Sequence, residues 1–138
     1  MALPVGEVSV RLPGPYDLSA LVLSRDGKIA GDADSVFVNQ PSAPGVRLEG
    51  DGVSVEPGRL RRGAERVVVV ASPEVYGRGF DRHAPPVATL TGRAGTLARL
   101  LPPPLNGETV LQIAEIYRRD GSWRGPLDRA GVRRTPRT

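Results

Sequence analysis

Six oxygen-bearing side chains among the first 51 residues are of the types and spacing that can do chemistry. Asp32 and Asp34 flank Ala33 in "GDADSVFVNQPSAPG", Asn39 follows on the same stretch, Asp17 opens the run "DLSALVL", and Glu49 and Asp51 sit in the glycine-rich "EGDG". Hard cations such as calcium take six to eight oxygens from Asp, Glu, Asn and backbone carbonyls, and loops at strand ends can converge them. If a strand begins at Asp32, its period of two puts Asp32 and Asp34 on the same side of the chain. Carboxylates that close repel unless a cation or a donor stands between them. The same acids equally fit a plainer role, capping turns and keeping a sheet end soluble. Spacing leaves both readings open.

The means for catalysis are sparse. Acyl transfer needs a nucleophile beside a base, and glycoside hydrolysis needs two facing carboxylates. The one histidine, His83, lies in "FDRHAPP" beside an arginine, a loop context that fits a solvent-exposed side chain. No G-x-S-x-G, P-loop or helix-opening G-x-G-x-x-G is present, so the expectation is a protein that is not an enzyme. With no cysteine there is no disulfide framework, no thiolate metal site, and no thiol to reduce a substrate.

The elements that must position these residues are strands. Apolar runs are short, bounded by turn residues and rich in β-branched side chains. "VSVRL" alternates with period two, "DLSALVL" follows a Pro-Gly-Pro turn, "RDGK" is a hairpin-type turn, and "SVFV" comes after the two acids. "GVRLEGDGVSVEPG" supplies two strands around Gly50-Asp51-Gly52, and "PPVATLTG" and "GTLARLL" two more. "RVVVVAS", Arg66 to Ser72, is a continuous apolar run, the expected central strand with both faces buried. Pro102 to Pro104 forbids a helix or central strand and reads as a rigid connection. Glu108 to Tyr117 fits a short helix on composition, but Asp120-Gly121 before Trp123 favours a hairpin. Val36 and Phe37 should face opposite ways, Tyr117 and Trp123 should be core or cross-strand partners, and Arg61, Arg62 and Arg66 a solvated face. The expected fold class is mainly β, an antiparallel two-sheet β-sandwich, since one sheet cannot cover both faces of the valine strand.

A chain of 138 residues fits one domain with its own core. The formal charge of +4 resides in the tail: Arg124 to Thr138 carries five arginines against Asp128, leaving 14 basic and 14 acidic residues elsewhere. Met1 to Glu56 holds four basic and eight acidic side chains, so the acids concentrate around the candidate site. This distribution argues against nucleic-acid binding. No signal-peptide pattern and no apolar run near the ~20 residues of a membrane span is present, and a cytoplasmic location is expected.

From Asp17 to Trp123 the ordered pieces "YDLSALVLSRDGKIAGDADSVFVNQPSAPGVRLEGDG", "RVVVVAS" and "ETVLQIAEIYRRDGSW" resemble the TerD family of tellurium-resistance and bacterial stress-response proteins. The motifs in play are D-x-(S/A)-A-x-x-L, a D-G-K turn, S-D-x-D-F-V-F-Y-N-Q, a G-D-N loop, and E-T-A-x-x-x-G-E-L-Y-R-x-N-G-x-W near the C-terminus. The resemblance implies a TerD-like β-sandwich over residues 1–124 with a basic, flexible tail over 125–138. It implies calcium held by acidic loops at one end, with Asp17, Asp32, Asp34, Asn39 and Asp51 on the ligand positions, and other stress-response proteins as partners. The chain departs from the pattern at Pro15, where the family has a second acid, and after Asp51, where only "EGDG" stands for a long acidic loop. Fewer charged oxygens weaken such a site. A metal-free interaction module on the same scaffold is the alternative.

Overall fold

Alternating side chains sort the first strand directly: β1 (Val8–Arg11) buries Val8 and Val10 and leaves Ser9 and Arg11 half-exposed. In chain order there follow β2 (Tyr16–Ser24), β3 (Ser35–Val36), β4 (Ser42–Ala43), β5 (Val46–Glu49) and β6 (Gly52–Val55). Then come β7 (Ala64–Pro73), β8 (Ala88–Gly92), β9 (Gly95–Leu100), β10 (Leu111–Arg119), β11 (Ser122–Arg124) and β12 (Arg133–Arg134). The computed structural model describes residues 2–4, 6–75, 79–80, 84–101, 105, 109–125 and 133–134.

The strands form two antiparallel sheets, one in the order β4-β5-β6-β1-β8-β9 and the other β11-β10-β7-β2-β3, with β12 also on β10. The expected mainly β, two-sheet architecture is therefore what the chain adopts. The core lies between the sheets, filled by Val8, Val10, Val53, Val55 and Leu90 from the first and Ala20, Val22, Val67, Val69 and Ile116 from the second. No helix among the described residues is long and apolar enough to cross a membrane.

The valine run forms β7, flanked by β10 and β2, with Val67 opposite both Ile116 and Val22. Val67 and Val69 are fully buried and Val68, on the outer face, is 8% exposed. The ambiguous segment is the hairpin β10–β11, because Asp120 (φ 53°) and Gly121 (φ 79°) both take the left-handed conformation that a primed turn requires. Trp123 packs against the core, Tyr117 pairs with Arg124 across the strands, Val36 is buried and Phe37 is exposed.

Two local expectations change. Asp32–Asp34 is a single 3-10 turn, closed by the Asp34 N–H on Gly31 O at 3.0 Å, instead of the start of a strand. In that turn the two acids no longer share a side: Asp32 is exposed and Asp34 is buried. The strand "SVFV" stops at Val36, because Phe37 and Gln40 close a tight turn with reciprocal backbone bonds of 3.0 and 2.8 Å, and Pro41 beyond it has no N–H to pair. His83, Pro102 to Pro104 and most of the 125–138 tail lie outside the described residues. Of the tail, Gly125 is buried, and Arg133 and Arg134 pair with Gln112 and Leu111 of β10.

Candidate functional site

At the C-terminal end of β2 the turn "RDGK" reverses the chain, with Ser24 N–H on Lys28 O at 2.8 Å and Lys28 N–H on Asp26 Oδ1 at 3.0 Å. Gly27, at φ 78°, supplies the left-handed residue. The chain then enters the 3-10 turn, which swings Asp34 inward. Its side chain is only 6% exposed, yet both of its oxygens have N–H donors. Arg61 Nε donates to Asp34 Oδ1 at 2.7 Å and Arg61 Nη2 to Oδ2 at 2.8 Å, the two-pronged arrangement that suits a guanidinium and a carboxylate. Ala30 N–H donates to Oδ2 at 2.6 Å. The same Nη2 reaches Ser24 Oγ at 2.8 Å, and Nη1 donates to Arg62 O at 3.0 Å. One guanidinium thus ties together the end of β2, the acidic turn and the loop leading into β7.

Burial pushes the Asp34 carboxyl up, but the hydrogen bonds from Arg61 and Ala30, the Arg61 charge and the Gly31 N–H together outweigh it and hold Asp34 below the usual carboxylate range. The bond to Asp34 raises the Arg61 guanidinium above its already high value. Both groups are charged throughout the neutral range. Arg61 is therefore no part of a solvated face, whereas Arg62 and Arg66 are exposed as expected, Arg66 with its Nε 3.4 Å from Glu115 Oε2. Sequence offered no cue to Arg61: it stands 27 residues from Asp34 in "EPGRLRRGAER", beside arginines of the same type.

The other candidate ligands fall elsewhere. Asp17 is exposed on β2, opposite Ser72 and seven residues before Ser24, which is about 23 Å of extended strand. Asp32 is exposed, and its backbone carbonyl accepts from Gln40 Nε2 at 2.7 Å. Asn39 is exposed in the Phe37–Gln40 turn. Asp51, in the other sheet's β5–β6 turn, pairs with Arg11 at 3.2 Å, and the same Arg11 nitrogen donates to Glu49 O at 3.2 Å. Among the described residues no three His, Cys, Asp or Glu side chains group as metal ligands would. The donor set as arranged does not fit a calcium ion, because Asp34 already has both oxygens engaged by N–H donors and Asp51, on the other sheet, is paired with Arg11.

Two further features flank this arrangement. A cleft of about 490 Å³ lies over the tips of β2 and β10, where Arg25, Arg66 and Arg118 face Glu65, Glu115 and Asp120. Its charges cancel, and the Ser24 hydroxyl that lines it is already bound by Arg61. At the opposite end of β2, Tyr16 stacks on Phe80 with ring centroids 5.4 Å apart, beside a groove of about 420 Å³ lined also by Pro15, Pro73, Glu74 and Val75.

By sequence, the chain matches no family model and no curated protein. By fold, it is similar to a homologue of the telluride resistance protein TerD, SCO6318 from Streptomyces coelicolor A3(2). The TM-score is 0.64 at 17% identity, covering 97% of this chain and 90% of that one. It is equally similar to SAV2460, a protein of unknown function, with TM-score 0.64, 17% identity, and coverage of 95% and 88%. The sandwich is of the TerD type.

Proposed function

We propose that this TerD-type sandwich is a non-catalytic protein-interaction module, which contacts its partner through the end where β2 begins and β7 ends. The observation that carries this reading is where the exposed apolar side chains gather. Of the five large ones among the described residues, Phe37 (39% exposed), Val38 (77%), Val75 (57%) and Leu101 (52%) lie towards this end. Strand register supports the grouping. β3 runs antiparallel to β2 and delivers Phe37 and Val38 towards Tyr16, while β7 ends at Pro73 opposite Tyr16 and leads to Val75. β9 ends at Leu100, opposite Ala88 and next to the Thr89–Arg11 pair from which β1 passes to β2, and Leu101 follows.

Apolar groups gathered on one surface cost solvation that a partner's surface recovers, and loops at the end of a sandwich carry function without disturbing its core. Pro13, Pro15, Pro41 and Pro73 stiffen these connections, so less disorder is lost when they dock. The motif resemblance to the TerD family makes stress-response proteins the partner class of this reading. A photo-crosslinking residue placed at Val38 or Val75 in cells that naturally make the chain tests the reading. It should yield one discrete adduct from either position and none from Thr91, on the outer face of the other sheet. Equal adducts from Thr91, or none from Val38 and Val75, would sink it.

A further inference from the structure

Every oxygen of the buried Asp34 carboxylate is bound by an N–H donor, and Arg61, a side chain of the same molecule, places its cation directly on it. We infer that Arg61 is a built-in counter-cation for the acidic turn, a guanidinium seated where a loop of this composition would otherwise need a bound ion. The seat joins three segments far apart in the chain. Ser24 closes β2, Ala30 and Asp34 belong to the turn, and Arg61 comes from the loop between β6 and β7.

A buried carboxylate without a cation or enough donors neutralises itself or unfolds its surroundings, so something must supply the charge. A guanidinium does so with fixed geometry. Its two parallel N–H groups match the two carboxylate oxygens, and a third bond to Ser24 Oγ sets the plane. An ion drawn from solution depends on its concentration, whereas a covalently attached one does not. Closure of the turn is thereby made independent of calcium. Gln40 extends the effect, since its side-chain amide holds Asp32 O at 2.7 Å and Ser35 O at 2.5 Å, so the Phe37–Gln40 turn hangs from the same frame. The inference does not rest on the proposed contact end, and either can fail without the other.

Thermal melts of three proteins test it: the unaltered chain, Arg61→Gln, which removes the charge, and Arg61→Lys, which keeps the charge but loses the fork. Each is measured with calcium chloride, with chelator, and with low-millimolar guanidinium against matched sodium chloride. The unaltered chain should melt at the same temperature in all four. Arg61→Gln should melt well below it and regain at least half the loss in guanidinium or calcium, and Arg61→Lys should fall between the two without responding to calcium. A calcium-dependent rise in the unaltered chain overturns the inference, as does a loss in Arg61→Gln that no cation restores. If Arg61→Gln does not fold, Arg61→Lys decides: folding with partial stability supports a charge role, and failure to fold overturns it.

Discussion

Removing either member of the Asp34–Arg61 pair should cost stability unequally, and the inequality follows from their burial. The Asp34 side chain is 6% exposed and that of Arg61 21%. Arg61→Ala leaves a buried carboxylate with only backbone donors, and stranding one charge of a buried pair costs about 3 kcal/mol or more. At roughly 0.3 kcal/mol per degree for a chain of this length, that lowers Tm by about 10 °C. Asp34→Ala costs less, about 2 kcal/mol, because the long arginine stem can carry its charge out to water. The double variant should then resemble Asp34→Ala, at about 2 kcal/mol, since no stranded carboxylate is left. Urea unfolding followed by the fluorescence of the single tryptophan, Trp123, measures all four corners of the cycle. Additivity within about 0.5 kcal/mol, or a cost for Arg61→Ala under about 1 kcal/mol, would refute the assignment.

The remaining expectations concern pH and two turns. Asp34 has its folded-state pKa held below the ordinary value, so its contribution is complete above the unfolded pKa of about 3.9 and is lost as pH falls through the folded value. Acid unfolding of the unaltered chain should therefore include an Asp34 contribution below about pH 4 that is missing in Asp34→Asn, and identical acid profiles would contradict it. Gln40→Ala removes the bonds to Asp32 O and Ser35 O and should cost about 1 kcal/mol by denaturant unfolding. Gly121→Ala, at φ 79°, should cost about 1–2 kcal/mol, and a neutral result would mean the β10–β11 turn is not of the primed type.

The strands were legible in the sequence because their cause is local. β-branched runs, period-two burial and the Asp120-Gly121 turn each depend on neighbours within a few residues, and they located β1, β2, β5 to β11 and the central position of β7. The acidic turn was legible in composition but not in shape. Period two assumes an extended chain, and Asp32–Asp34 instead closes a 3-10 turn on Gly31 that separates the two carboxylates. The counter-cation was illegible for a different reason. Arg61 differs from Arg62 beside it only in what the fold brings within reach, a turn 27 residues earlier in the chain. Motif resemblance named ligand positions, yet a ligand set is a matter of convergence, and Asp17, Asp34 and Asp51 are carried by different parts of the sandwich.

The most direct measurement is a calcium titration of the unaltered, ¹⁵N-labelled chain, followed through the Ala30 and Gly31 amides and the Arg61 Nε–H. With Arg61 in the seat, the Ala30 amide, 2.6 Å from Asp34 Oδ2, and the Arg61 signal should remain at their positions through millimolar calcium. Saturable movement of those three signals together would mean that calcium displaces the guanidinium, and would contradict the account.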